Sequence, residues 1–235
     1  MLEEIYTSGE YLAKNPTWHI EDSSWKAMQI IRMITQNHLA PKTICEVGCG
    51  AGEILKQLQE VMDNQCMFCG YDISPQAIEL CKVRSNARLQ FKLADIKQEQ
   101  GVFFDLLLVI DVLEHLEDYF NFLREIRAKG QYKIFHFPLD LSMNMVVSGR
   151  LMKIREAYGH IHYFTKDTAL QTLKDVGYEV VDYFYTSASI EVPSQEFKSE
   201  IKRRLLKLPR KLFFGIHRDL AARILGGWSL LVLAK

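Results

Sequence analysis

Glu46-Val47-Gly48-Cys49-Gly50-Ala51-Gly52-Glu53 follows a short apolar run, Thr43 to Val47, and opens a helical pattern that continues from Glu53 to Met62. Between a strand and a helix, glycines let the backbone turn sharply and approach a ligand closely. The spacing is G-x-G-x-G and not the dinucleotide form G-x-G-x-x-G, so the position of the loop carries more weight than its glycines.

Outward from this turn, apolar runs alternate with helical patterns. Gln65 to Tyr71, Leu89 to Ala94, Phe104 to Ile110 and Tyr132 to Phe137 read as further strands, and Tyr178 to Tyr185 and Trp228 to Ala234 as the last two. Helices are expected over Gln76 to Val83, Asp118 to Ala128 and Lys166 to Val176, the last capped by Thr165 and closed by Gly177. Such alternation predicts an α/β fold with a mostly parallel, doubly wound sheet. Phe104 to Ile110 is apolar at nearly every position, as a strand covered on both faces must be, and is placed at the centre.

Two acids stand at successive strand ends. Asp72, with Ile73, closes the second strand twenty residues after Gly52, where a carboxylate offers two acceptor oxygens to the paired hydroxyls of a ribose. Asp95 closes the third in Leu93-Ala94-Asp95-Ile96, placed to accept from an adenine amino group. Each aspartate alone is equally a helix cap or turn former. Three strand-end signals in register point to an adenosine-containing ligand.

Over residues 43 to 188 the pattern resembles the class I S-adenosylmethionine-dependent methyltransferases, and within them the quinone-biosynthesis subgroup. Glu46 to Gly52 is similar to that family's first motif, Asp72 to its ribose-binding acid, Asp95-Ile96 to its adenine contact, and Asp111-Val112-Leu113-Glu114-His115-Leu116 to the segment after its fourth strand. The resemblance implies a Rossmann-like sheet of seven strands with an antiparallel last strand and helical lid elements. It also implies that Gly48, Cys49, Gly50 and Gly52 hold the methionine part of S-adenosylmethionine, that Glu46 lies near its amino group, and that backbone around Asp111 and Val112 closes the site.

Methyl transfer asks mainly that the acceptor be held in line with the sulfur–methyl bond. A hydroxyl acceptor, the expected class, must also lose its proton. His115, His160 and His162 are the candidate bases, since histidine ionises near neutrality. Gly159-His160-Ile161-His162-Tyr163-Phe164-Thr165 resembles a stretch whose histidine side faces the acceptor pocket in the subgroup. A loop histidine is also a common structural hydrogen-bonder. Some quinone-pathway relatives hold a divalent ion with a similar acid-x-x-Glu-His run. Asp111 stands where those relatives tend to have glutamate, and Glu114 and His115 serve equally to start the next helix, so no metal is assigned.

Three stretches fall outside the alternation, giving one domain with four parts: a helical cover over 1–40, a cofactor-binding core over 41–188, a basic helical insertion over 189–227 and a last strand over 228–235. In the cover, Asp22 or Ser23 caps a helix from about Ser24 to His38, Pro41 ends it, and Tyr6, Tyr11, Trp18, Trp25 and Lys26 add aromatic and cationic surface for a lid. Residues 195–224 carry nine basic residues against Glu196, Glu200 and Asp219, a local charge of +6 interleaved with leucine and phenylalanine. Such a segment covers the sheet with a solvated basic face, or lies peripherally on an anionic membrane.

The whole chain, 235 residues with 48% hydrophobic residues, is long enough for a full core. Its 29 basic and 29 acidic residues balance, so no nucleic-acid partner is expected and the acceptor is a small or lipid-linked molecule. The first residues lack an export signal and no apolar run reaches the ~20 residues of a membrane span, which places the protein in the cytoplasm. Five cysteines confined to residues 45–81 read as reduced thiols, with Cys66 and Cys69 as core filler and not half of a zinc site. A nicotinamide-dependent oxidoreductase, and a cofactor-binding partner subunit without turnover, are the alternatives.

Overall fold

The computed structural model describes residues 4–18, 20–187 and 210–235. Seven strands, β1 (Thr43–Val47), β2 (Met67–Asp72), β3 (Leu89–Leu93), β4 (Phe104–Ile110), β5 (Gly130–Pro138), β6 (Val180–Thr186) and β7 (Ser229–Ala234), form one sheet in the order β3-β2-β1-β4-β5-β7-β6. β1 to β5 pair in parallel, and β7 runs antiparallel between β5 and β6. The strand order reverses between β1 and β4, and in open α/β sheets the crevice beyond the strand ends at such a switch is where ligands bind.

The central strand β4 is buried on both faces, as its unbroken apolar run requires. Leu106, Leu108 and Ile110 pack on one side with Ile44, Ile134 and Leu231, beneath α3 (Ser23–Gln36) and α4 (Glu53–Val61). Leu107 and Val109 pack on the other with Phe135, Phe137 and Val232, beneath α6 (Tyr119–Arg127) and α9 (Lys166–Asp175). A fully buried side chain of this size contributes about 1.5–3 kcal/mol, so the two layers hold the sheet rigid behind its loops. The remaining helices are α1 (Glu4–Thr7), α2 (Glu10–Lys14), α5 (Pro75–Cys81), α7 (Met143–Val147), α8 (Arg150–Tyr158) and α10 (Arg218–Leu225).

Several boundaries differ from expectation for local reasons. β2 starts at Met67 and not Gln65, because Asp63 accepts the backbone N–H groups of Gln65 (2.7 Å) and Cys66 (2.9 Å) in a turn. β6 starts at Val180 and not Tyr178, whose N–H still bonds Leu173 (3.0 Å) and whose hydroxyl donates to the carbonyl of Leu123 (2.8 Å). β5 runs longer than expected, over Gly130–Pro138. α5 begins one residue early on Pro75, capped by Ser74, and gives way to a 3-10 turn at Lys82–Arg84. Thr165 caps α9 as expected, in a reciprocal capping box with Thr168. Asp22 occupies the N-cap of α3 without capping it, since its carboxylate turns to Lys26 (3.1 Å).

All five cysteines are free, four of them buried. Of the basic stretch, residues 195–209 lie outside the described residues; 210–216 are helical and α10 follows. Among the described residues no helix is long and apolar enough to cross a membrane.

Candidate active site

A cavity of about 360 Å³ opens beyond the carboxyl ends of β1 and β4, roofed by the amino-terminal segment. At its β1 end the glycine loop is tied to β2: Gly48 and Cys49 donate to the carbonyl of Tyr71 (2.8 and 3.1 Å) and Gly50 donates to Asp72 Oδ2 (2.9 Å). Asp72 Oδ1 accepts from Ser74 N–H (2.8 Å). Burial, working against these hydrogen bonds, pushes the Asp72 carboxyl up to about 6. Gly50 has φ +53°, and a Cβ there would stand 2.5 Å from Trp18 Cδ1, so the loop and its cover meet where only glycine fits. Glu46, 2% exposed, lines the cavity with Oε2 lacking any hydrogen-bond partner, and burial raises its carboxyl well above the ordinary range. A buried, unpartnered carboxylate oxygen facing a cavity calls for a cationic or hydrogen-bond-donating ligand.

The other end is made of side chains. Lys26 from α3 reaches Asp111 Oδ2 (2.8 Å) at the end of β4, and Asp111 Oδ1 meets His136 Nδ1 (2.5 Å) of β5. His136 Nε2 lies 2.9 Å from Thr186 Oγ1 on β6. Burial disfavours the Asp111 charge, but His136 and Lys26 outweigh it and hold the carboxyl well below the carboxylate range. Asp111 has φ +53°, a conformation uncommon outside glycine, and this chain of bonds fixes it there. Beside it, His160 Nδ1 bonds Asp140 Oδ2 (2.7 Å). A carboxylate only accepts, so Nδ1 carries the proton and the lone pair of Nε2 is left for a substrate. His115 stands edge-on to His160, ring centroids 4.9 Å apart.

The structure therefore brings Glu46, Gly48, Cys49, Gly50, Asp111, His115 and His160 to one cavity wall. Gly52, Asp72, Ile73, Asp95, Ile96, Val112 and His162 do not line it. Gly52 is the N-cap residue of α4, and Val112 packs on Gly48. Asp95 is a turn former: it caps the 3-10 turn Ile96–Gln98 through the N–H of Lys97 (2.9 Å), with Ile96 in the core. His162 Nε2 donates to the carbonyl of Leu116 (2.9 Å), the structural use of a loop histidine.

A family model described as a methyltransferase domain matches residues 21–183. The chain belongs to that family. Its sheet is that of the class I, S-adenosylmethionine-dependent members. Ajmaline N-methyltransferase of Rauvolfia serpentina is 32% identical over 43% of this chain and 38% of its own length. A tRNA N(3)-methylcytidine methyltransferase of Schizosaccharomyces pombe is 33% identical over 32% of this chain and 30% of its own. The match thus spans about a third of either relative. In fold, the chain is similar to the magnesium protoporphyrin IX methyltransferase of Synechocystis with S-adenosylhomocysteine bound, at TM-score 0.58 and 15% identity, over 90% of this chain and 81% of that one. It is likewise similar to the N-methyltransferase NodS of Bradyrhizobium japonicum with the same ligand, at TM-score 0.54 and 17% identity, over 89% and 84%.

Sequence reasoning missed His136, Asp140, Thr186 and Tyr158. His136 and Asp140 had a readable signal, a polar residue at or just past the end of an apolar strand, the rule that found Asp72 and Asp95. Thr186 and Tyr158 had none, because only tertiary contact brings them in. The metal-ligating set suggested by Asp111, Glu114 and His115 is rearranged: Asp111 is committed to Lys26 and His136, and the side chains that cluster within 4.8 Å are Glu114, His115 and His160.

Proposed function

We propose that the chain, acting as one methyltransferase domain, moves a methyl group from S-adenosylmethionine to a hydroxyl oxygen of a small-molecule or lipid-linked acceptor. The residues fit the cofactor. Glu46 is an unpartnered acid for its ammonium group, Gly50 leaves room for close approach, and Asp72, behind the loop, ties Gly50 in place. When bound, the sulfonium supplies an activated methyl and a neutral leaving group. The chain's own part is to hold the acceptor in line and take its proton. His160 Nε2, oriented through Nδ1 by Asp140, is the base. His115 borders it as a second imidazole, and His162 is removed from the role by its bond to Leu116.

The observation that carries this reading is one cavity with an orphaned acid and a glycine loop at one end and the Asp140–His160 pair at the other. It favours turnover over a silent partner subunit, and the family match favours sulfonium over nicotinamide chemistry. Asp111 to Leu116 and Gly159 to Thr165 support the quinone-biosynthesis-like subgroup. Peripheral membrane contact through 195–224 is supported by Leu212 and Ile216, both exposed between Lys211 and α10.

Calorimetric titration should show S-adenosylmethionine binding and no binding of NAD; the reverse result rejects the proposal. With an acceptor in hand, His160→Ala should lower kcat by about 10²–10⁴ with the cofactor Kd unchanged. An equal kcat in the variant removes His160 as base.

A further inference from the structure

Glu114 lies in the 3-10 turn Leu113–His115 that follows β4. It lines the cavity, its side chain is 0% exposed, and neither carboxylate oxygen has a hydrogen-bond partner. His115 Nε2 stands 3.9 Å from Oε1, beyond hydrogen-bond reach. Lys26, the one lysine or arginine in the cavity wall among the described residues, is already bonded to Asp22 and Asp111. Glu114 thus repeats at the acceptor end the situation of Glu46 at the cofactor end. Nothing in the wall hydrogen-bonds it, so whatever fills the cavity beside it must supply the donor.

Its surroundings say what kind. The imidazoles of His115 and His160 cluster with its carboxylate within 4.8 Å, and the rings continue from there, His115 to His160 (4.9 Å) and His160 to Tyr158 (5.9 Å) in the cavity wall and Tyr6 edge-on to His115 (5.8 Å) behind it. The Tyr6 hydroxyl is also buried without a hydrogen-bond partner. A carboxylate among aromatic rings is the chemistry that holds an organic ammonium, through one charge-assisted hydrogen bond and the ring faces. A neutral hydroxyl there can offer a hydrogen bond but no counter-charge. Past Tyr11 and Tyr158, which line both spaces, a second cavity of about 280 Å³ runs between α2 and α8 along Met152, Ala157 and Ile161, with room for an apolar body.

We propose that the acceptor is an amine-bearing compound, its protonated nitrogen seated on Glu114 beside the rings of His115, His160 and Tyr158 and its reacting hydroxyl turned to His160. This deepens the methyl-transfer reading and depends on it. Glu114 is then the residue that selects basic acceptors over neutral ones of the same shape.

Benzylamine and benzyl alcohol, matched in size and differing in charge, test it on the full chain saturated with S-adenosylhomocysteine at pH 8. Calorimetry should give benzylamine an affinity at least about tenfold above benzyl alcohol. Glu114→Gln should abolish that preference with affinity for S-adenosylhomocysteine intact, and Glu114→Asp, which keeps the charge, should retain it. Equal binding of the two probes overturns the proposal, and so does a preference that survives Glu114→Gln. A preference that requires added magnesium and disappears with EDTA also overturns it, by giving Glu114, His115 and His160 to a metal ion. Absence of S-adenosylhomocysteine binding is a different failure, that of the methyl-transfer reading itself.

Discussion

The two ends of the cavity are built by opposite means. At the cofactor end one strand, one turn and the next strand suffice: backbone N–H groups of Gly48, Cys49 and Gly50 are tied to Tyr71 and Asp72, and only Glu46 offers a side chain. At the acceptor end Lys26, Asp111, His136, Asp140, His160 and Thr186 come from segments far apart in the chain and are held by one another's charges and hydrogen bonds. A site that binds through backbone can be specified locally, whereas one that works through side chains must be assembled by the whole fold. The first is protected by steric fit and the second by electrostatic balance, so each should fail in its own way.

The largest effect is expected where that balance is removed. Lys26→Met leaves Asp22 without its cation and Asp111 with His136 alone, in a place where the lysine side chain is 14% exposed. Breaking a buried pair from one side costs about 3–5 kcal/mol, and the residual exposure puts this case near the lower figure. Chemical denaturation should therefore show a loss of about 3 kcal/mol. Lys26→Met with Asp111→Asn should recover part of it, because the second change removes the stranded charge. A single variant as stable as the parent would mean that the chain of charges does not hold the acceptor end.

Gly50→Ala tests the other end. The added Cβ meets Trp18 at 2.5 Å, and φ +53° costs a non-glycine residue about 1–2 kcal/mol. Relief requires the loop to shift toward the cofactor or the cover to lift from it, so the affinity for S-adenosylmethionine should fall by about tenfold or more. Unchanged affinity would show that the loop is not where the cofactor binds, and the contrast between the two ends would lose its meaning.

The same contrast explains what could be read from the sequence. The seven strands and their order of appearance were legible because Phe104 to Ile110 can only be a central strand and its neighbours alternate with helical patterns, while the antiparallel last strand came from the family resemblance alone. The position of the glycine loop was legible because strand ends in such a sheet point to one crevice, whereas Asp72 ties that loop from behind without lining the cavity. Asp95 obeys the same rule, yet its carboxylate is taken by the turn it begins, a competition that spacing alone does not settle. The acceptor end was legible only in single residues. Lys26 read as lid surface because nothing local reveals that Asp111 lies 2.8 Å from it across the fold. Likewise the helix cap assigned to Asp22 lost to Lys26, an ion pair formed one helical turn along.

Acidity offers a gentler separation of the two ends. Burial raises Asp72 to about 6, above its value in an unfolded chain, so the group ionises only above that pH and binds a proton as pH falls through it. By itself this protonation favours the folded chain between the two values, since a buried charge is removed. It weakens, however, the bonds by which Asp72 holds the N–H groups of Gly50 and Ser74, and with them the glycine loop. Asp111 is shifted the opposite way, so its bonds to Lys26 and His136 are fully present above the ordinary aspartate range and lost only as pH falls below it. Between pH 7.5 and 5, affinity for S-adenosylmethionine should consequently fall by about tenfold through Asp72, with the Asp111 carboxylate still charged. Asp72→Asn, weaker throughout, should lose this dependence. A slope that persists in the variant would belong to Glu46, also raised by burial, and would move the pH-sensitive group from the acid that ties the loop to the acid that lines the cavity beside it.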